Sequence, residues 1–215
     1  MQTHIPDVLF IQEYSAVLLA HLKKIDIYDI TIDKERDSLV ALNKKYFITD
    51  HKCDMIVDDL RKKHKWFETS AVTVASRIIF CSVHLTSNEA KNKEQVILLK
   101  EAINVLIEDF KEYSFVVAGD INSFIKFEIP GIHFYPTTDD QFTTLKKRTA
   151  SQAQFHKAEK EVKESKDKII SSLPLDKCKI TFIDDQPAND KSYLPTDSHP
   201  HDHFLVQAQI SLRKE

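Results

Sequence analysis

Three apolar runs in this sequence end on residues able to hold a metal ion or move a proton. Val8-Leu9-Phe10-Ile11 leads to Gln12-Glu13, the run over 78–83 leads to His84, and Phe115-Val116-Val117-Ala118 leads to Gly119-Asp120-Ile121-Asn122. Open sheets place their sites at the carboxyl ends of strands. A carboxylate, an imidazole and a carboxylate–amide pair at three such ends therefore make one candidate site. Each residue also has a local explanation. Glu13 suits the start of the following helix, where the macrodipole favours it; His84 suits a hydrogen-bonded structural histidine; Asp120-x-Asn122 suits an Asx turn. In extended chain Asp120 and Asn122 would point the same way and offer a carboxylate and an amide oxygen to one point.

Two further groups carry chemistry. Asp197-Ser198-His199-Pro200-His201-Asp202-His203 precedes the run Phe204-Leu205-Val206, and in extended chain only part of this cluster can face one site. Asp167 opens the run Lys168-Ile169-Ile170 and is the kind of carboxylate that fixes a histidine tautomer for catalysis. A solvated helix-end charge is its local alternative. Residues 146–168 hold eight Lys or Arg against four Asp or Glu, which makes them a candidate phosphate-facing surface with Lys147 and Arg148 as substrate contacts. Residues 44–65 hold seven against four. A solvated face is the plain reading of either charge run.

These residues need a scaffold. With 215 residues, of which 42% are apolar, the chain is expected to form one domain, over 1–215, with a sizeable core. The formal charge of −3 excludes a strongly basic nucleic-acid wrapper and leaves room for local basic patches. No run approaches the roughly 18 apolar residues of a membrane span, and the first residues do not read as a secretory leader. Cys53, Cys81 and Cys178 are widely spaced, which argues against a disulfide framework or a cysteine zinc site and for a reducing, intracellular setting in cytoplasm or nucleus. Two glycines stand against an average of about 7%, so Gly119 at a strand end is expected to serve a close backbone approach or an unusual φ.

Periodicity predicts strands over 7–12, 25–32, 38–42, 70–75, 77–85, 115–118, 167–171, 178–183 and 204–212. A short strand is expected at 46–49. The run at 8–11 has the pattern of a strand buried on both faces. Helices are predicted over 14–24 and 93–110, the latter from Val96, Leu99, Ile103, Leu106 and Ile107. Residues 53–65 read as a short helix and loop, and 150–166 as a weak helical stripe of Phe155, Ala158 and Val162. No crossover helix fits between 25–32 and 38–42, so they form a hairpin or meander.

In order, Asp7 to Glu13, Val83-His84-Leu85, Gly119-Asp120-Ile121-Asn122, Asp167-Lys168-Ile169 and Asp202-His203 resemble the motifs of the endonuclease/exonuclease/phosphatase superfamily, the group that includes DNase I-like nucleases. The resemblance spans nearly the whole chain. It implies an α/β fold, a four-layer α/β/β/α sandwich of two mixed β-sheets, and metal-dependent hydrolysis of a phosphate ester. It implies that Glu13 is a ligand of Mg2+ or Mn2+, with Asp202 a further one. Asp120 would orient or deprotonate the attacking water, and Asn122 would hold a phosphate oxygen. His203, oriented by Asp167, would act as general base or stabilise charge, while His84 would bond the phosphate or protonate the leaving oxygen. These side chains suit a hard cation that prefers oxygen ligands.

The chain departs from that pattern in two places. The family's usual first strand, which ends in a metal-shell asparagine, has no counterpart in the twelve residues before Glu13. His201-Asp202-His203 stands where Ser-Asp-His is usual. The expected activity is a nuclease or phosphodiesterase on DNA or RNA. An inositol-phosphate or lipid-headgroup phosphatase of the same fold is an alternative, as is a truncated, non-catalytic scaffold that binds a partner or phosphate-bearing ligand. A separate metal reading likens His199-x-His201-Asp202-His203 to the binuclear zinc motif of metallo-β-lactamase-fold hydrolases, with one residue fewer.

Overall fold

Helix boundaries follow from polar caps. The computed structural model describes residues 5–33, 37–123, 129–137, 141, 143–147, 161–181 and 205–210. After strand β1 (Val8–Gln12), helix α1 (Ala16–Ile25) starts where the Ser15 hydroxyl accepts the Leu18 N–H at 3.1 Å. Strands β2 (Tyr28–Asp33) and β3 (Ser38–Asn43) form the expected antiparallel hairpin. Helix α2 (His51–Lys63) is longer than its charged sequence suggested. Its cap is Asp50, whose carboxylate accepts the N–H groups of Cys53 and Lys52 at 3.0 and 2.9 Å and is held below the usual carboxylate range by them. A 3-10 turn (Lys65–Thr69) then seats Trp66 and Phe67, and β4 (Ala71–Ala75) and β5 (Ile78–His84) pair antiparallel. Helix α3 (Glu89–Asp109), capped by Asn88, crosses over to β6 (Ser114–Asp120).

The sheets stack as the side-chain alternation requires. One sheet has the order β1-β3-β2 and is antiparallel throughout its described strands. The other is mixed, β4-β5-β6-β10-β7, with β7 at His133–Tyr135 and β10 at Asp167–Ser171; only β5 and β6 run parallel in it. Val40, Leu42 and Phe10 of the first sheet meet Phe80, Ile78, Val116 and Ile169 of the second. One residue along each strand, Leu39, Ala41, Leu9 and Ile11 face Leu18, Leu19 and Leu22 of α1. The far face of the larger sheet, with Val72, Ile79, Cys81 and Val117, packs on Leu60 of α2 and Leu99, Ile103 and Leu106 of α3. The layers are therefore α1, small sheet, large sheet and α2 with α3, the expected four-layer α/β/β/α sandwich.

Several elements differ from expectation. Every residue of β1 is only half-buried, because among the described residues this strand pairs with β3 alone. Residues 46–49 form no strand; the chain turns after β3, with the Tyr46 N–H on the Asn43 carbonyl, and inserts Phe47 edge-on against Phe80 at 5.3 Å. The weak helical stripe gives way at its end to β9 (Glu161–Glu164), paired antiparallel with β8 (Thr144–Lys147); residues 148–160 lie outside the described ones. Strand β11 (Leu175–Thr181) begins earlier than expected, and its register with β12 (Leu205–Ile210) shifts between Asp176 and Lys179, where Lys177 has φ +45°. The three cysteines are free thiols, and burial pushes the Cys81 thiol far up. Among the described residues no helix is long and apolar enough to cross a membrane.

Gly119 has φ +146°, and a Cβ there would lie 2.0 Å from the Val83 carbonyl oxygen. Both the conformation and the space demand glycine. Gly119→Ala is expected to cost at least about 2 kcal/mol of stability in urea denaturation. Phe80, 2% exposed and in ring contact with Phe10 and Phe47, fills the space between the sheets. Phe80→Ala is expected to cost about 3–5 kcal/mol in the same measurement.

Candidate active site

Strand register brings the sequence candidates together. The parallel pairing of β5 with β6 sets His84 opposite Asp120, and the antiparallel pairing of β6 with β10 sets Asp167 opposite Asp120. Two residues back the same rows read Ser82, Ala118 and Ile169. Because strand side chains alternate with period 2, His84, Asp120 and Asp167 all emerge on the face turned to the small sheet, at its rim. Polar groups take over where the apolar inter-sheet core stops.

Asp120 is 6% exposed, and its carboxylate is held at both oxygens. The Asn122 backbone N–H donates to Oδ1 and the Asn122 side-chain amide donates to Oδ2, each at 2.7 Å. The same Nδ2 also donates to the Leu85 carbonyl at 2.9 Å. This is the Asx turn, with Asn122 at φ +50°. The expected extended geometry, in which both side chains aim at one outside point, is not formed, because the chain leaves β6 and curls back on it. Asn122 thus orients Asp120.

Glu13 comes from the opposite sheet. It adopts φ +53°, lies before the Ser15 cap, and leaves the first turn of α1 without an acidic residue, so the helix dipole does not account for it. Its Oε1 stands 3.6 Å from His84 Nε2, with the glutamate side chain 77% exposed and the histidine 21%. Glu13, His84 and Asp120 therefore occupy one corner, where the ends of β1, β5 and β6 meet.

Asp167 opens a strand, not a helix end. The buried Thr143 hydroxyl accepts the N–H groups of Lys166 and Asp167 at 2.9 and 3.0 Å, and the Lys166 carbonyl accepts the Ile121 N–H at 3.0 Å. Thr143 directly precedes β8, so the β8–β9 arm, which includes the backbone of Lys147, rises from the rim beside Asp167. Arg148, Asp202 and His203 lie outside the described residues, as do His199 and His201. Three of the basic residues over 44–65 lie away from the rim. Lys44 and Lys45 follow the opposite end of β3, and Lys63 pairs with Asp109 at 3.0 Å, about 25 Å along α3 from Asn92 at the rim.

Three polar residues were given no role of their own by the sequence, and one of them, Lys168, is buried although it ends the stretch expected to face phosphate. Buried Asn92 of α3 donates to the carbonyls of Thr86 and Ile121 at 2.9 and 2.8 Å, tying together the turns that follow β5 and β6. Lys168 is buried with its ammonium on the Pro136 carbonyl and the Ser165 hydroxyl. Thr143 is the third. The available signal was a lone polar residue within an apolar stripe for Asn92; nothing comparable marked Thr143 or Lys168.

Among the described residues no three His, Cys, Asp or Glu side chains converge as a cage. Mg2+ asks for less, since it keeps several waters and is often held by one or two carboxylates beside substrate oxygens. An exposed glutamate carboxylate on an open rim suits a hard cation of that kind.

No model of a known protein family matches this chain, and no curated protein does. Solved structures do. TDP2 from C. elegans superposes over 95% of the chain with a TM-score of 0.63 and 18% identity; the chain spans 65% of that structure, less than two thirds of its length. A truncated C. elegans TDP2 gives 0.60 and 17%, covering 95% of this chain and 84% of the other. D. rerio TDP2 complexed with single strand DNA product gives 0.58 and 16%, covering 96% and 86%. At such identity the likeness shows the fold alone: the chain has the DNase I-like fold of these TDP2 structures.

Proposed function

We propose that this protein is a divalent-metal-dependent phosphodiesterase that hydrolyses phosphate esters of nucleic acid. The observation that carries this reading is the meeting of Glu13, His84, Asp120 and Asp167, distant in sequence, at one corner of the sandwich. A scaffold without chemistry has no need to align a polar row where two sheets open.

Asp120, held at both oxygens by Asn122, has a fixed direction in which to accept a proton from an attacking water. Both protons of Asn122 Nδ2 are taken, by Asp120 Oδ2 and the Leu85 carbonyl, so in this reading Asn122 fixes Asp120 in place of the phosphate contact expected of it. His84 borders the same corner, its Nε2 3.6 Å from Glu13 Oε1, and would bond the phosphoryl group or protonate the leaving oxygen. Asp167, next in the row, is the carboxylate that would orient His203 as base or charge stabiliser. Bound Mg2+ or Mn2+ would polarise the phosphoryl group, and Glu13 and Asp202 are the residues that would hold it.

Two observations favour nucleic acid as substrate. One similar structure is a TDP2 complex with single strand DNA product. The segment 146–168, locally +4, enters beside the catalytic row through the β8–β9 arm, where Lys147 and Arg148 would meet phosphates. The similar structures give no support to an inositol-phosphate or lipid-headgroup phosphatase.

The test is hydrolysis of labelled DNA, RNA and inositol phosphates with Mg2+ or Mn2+. Cleavage of DNA or RNA is expected, lost with chelator. Asp120→Ala and His203→Ala should each lower kcat at least about a hundredfold while urea midpoints stay near that of the wild type. Hydrolysis of inositol phosphates alone would overturn the substrate, and binding without any turnover would favour the non-catalytic scaffold.

A further inference from the structure

Glu13 poses a mechanical problem. Its backbone sits in the left-handed region, its side chain is mostly exposed, and it follows directly on β1 of the small sheet, whereas His84 and Asp120 belong to the large one. Neither its burial nor its own strand pairing can fix its distance from them. The neighbouring Gln12 can. Its Nε2 crosses between the sheets and donates to the hydroxyl of Ser82, a fully buried residue, at 2.9 Å. Ser38, opposite Gln12 in the β1–β3 register, donates its hydroxyl to the Ser82 carbonyl at 3.5 Å. The Gln12 amide fits because position 119 is glycine; a Cβ there would lie 2.7 Å from Gln12 Nε2 and 3.0 Å from Gln12 Cδ.

Each member of this arrangement lies just beneath a member of the site. Gln12 precedes Glu13, Gly119 precedes Asp120, and Ser82 is two residues before His84 on the same strand face. We propose that Gln12 is a positioning residue: seated in the space that Gly119 leaves open and bonded to Ser82, it sets the height of Glu13 above the His84–Asp120–Asp167 row. The inference rests on the phosphodiesterase reading for its effect on rate, and on geometry alone for its effect on Glu13.

The test compares wild type with Gln12→Met, which keeps the length and bulk of the side chain but cannot donate, with Ser82→Ala, and with the double variant. In the phosphodiesterase assay kcat should fall at least about tenfold in each single variant with KM within about twofold, since misplacement harms the step that needs orientation. The double variant should be no worse than either, because both changes remove one shared bond. By hydrogen exchange, the amides of residues 13–15 should exchange at least about tenfold faster in both single variants, while those of 39–42 keep the wild-type rate. Wild-type kcat in Gln12→Met, alongside an inactive Asp120→Ala, would overturn the positioning role and leave the site intact. An active Asp120→Ala would overturn the site reading instead, and the exchange measurement would then decide the latch: unchanged exchange at 13–15 overturns it.

Discussion

Register is the constraint on which the candidate site depends. β6 pairs in parallel with β5 on one side and antiparallel with β10 on the other, and only one alignment of each pair puts His84, Asp120 and Asp167 in a single row. A slip of one residue in either pairing would send one of them to the opposite face, toward the helices. What prevents the slip is the apolar alternation beneath: Phe80, Val116 and Ile169 must meet the small sheet, while Ile79, Val117 and Ile170 must meet α2 and α3. The cores that stabilise the sandwich also aim its polar rim.

Turns at the rim convert that alignment into a site. Asn92 joins the segments after β5 and β6, Thr143 caps the entry to β10, and the Asx turn fastens Asp120. The Asn92 amide and the Thr143 hydroxyl are buried and costly to leave unpaired, whereas Asn122 is half-buried. The site is thus supported from below by packing and from the sides by hydrogen bonds, those of Asn92 and Thr143 shielded from water.

Much of the fold was legible in the sequence. Val8 to Ile11, the run over 78–83 and Phe115 to Ala118 announced their strands, the spacing of Val96, Leu99, Ile103 and Leu106 announced α3, and the rarity of glycine singled out Gly119. Glu13, His84 and Asp120 drew notice by their places at strand ends; the register sets His84 and Asp167 beside Asp120, and Glu13 reaches His84 at 3.6 Å from outside the paired strands. What stayed hidden has physical causes. Three-residue β7 is too short to show a period. α2 carries so many charges that only Val57 and Leu60 are fully buried on it, and its start is marked by the Asp50 cap more than by its stripe. The left-handed turn at Asn122 replaces an extended end because side chain and backbone close on Asp120, a choice that spacing alone cannot reveal. Of the local basic excess over 44–65, Lys63 is set at the end of α3 away from the rim by its pairing with Asp109, a placement that only the packed helix reveals.

The protein has a single tryptophan, and Trp66 lies wholly in the core between the large sheet and its helices, 2% exposed, T-stacked on Phe67 at 5.3 Å, with its indole nitrogen unbonded among the described residues. An indole so dry and so lacking in polar contacts emits at short wavelength. Intrinsic fluorescence would therefore follow the loss of the helix-covered layer, which gives this molecule a built-in optical gauge of global integrity.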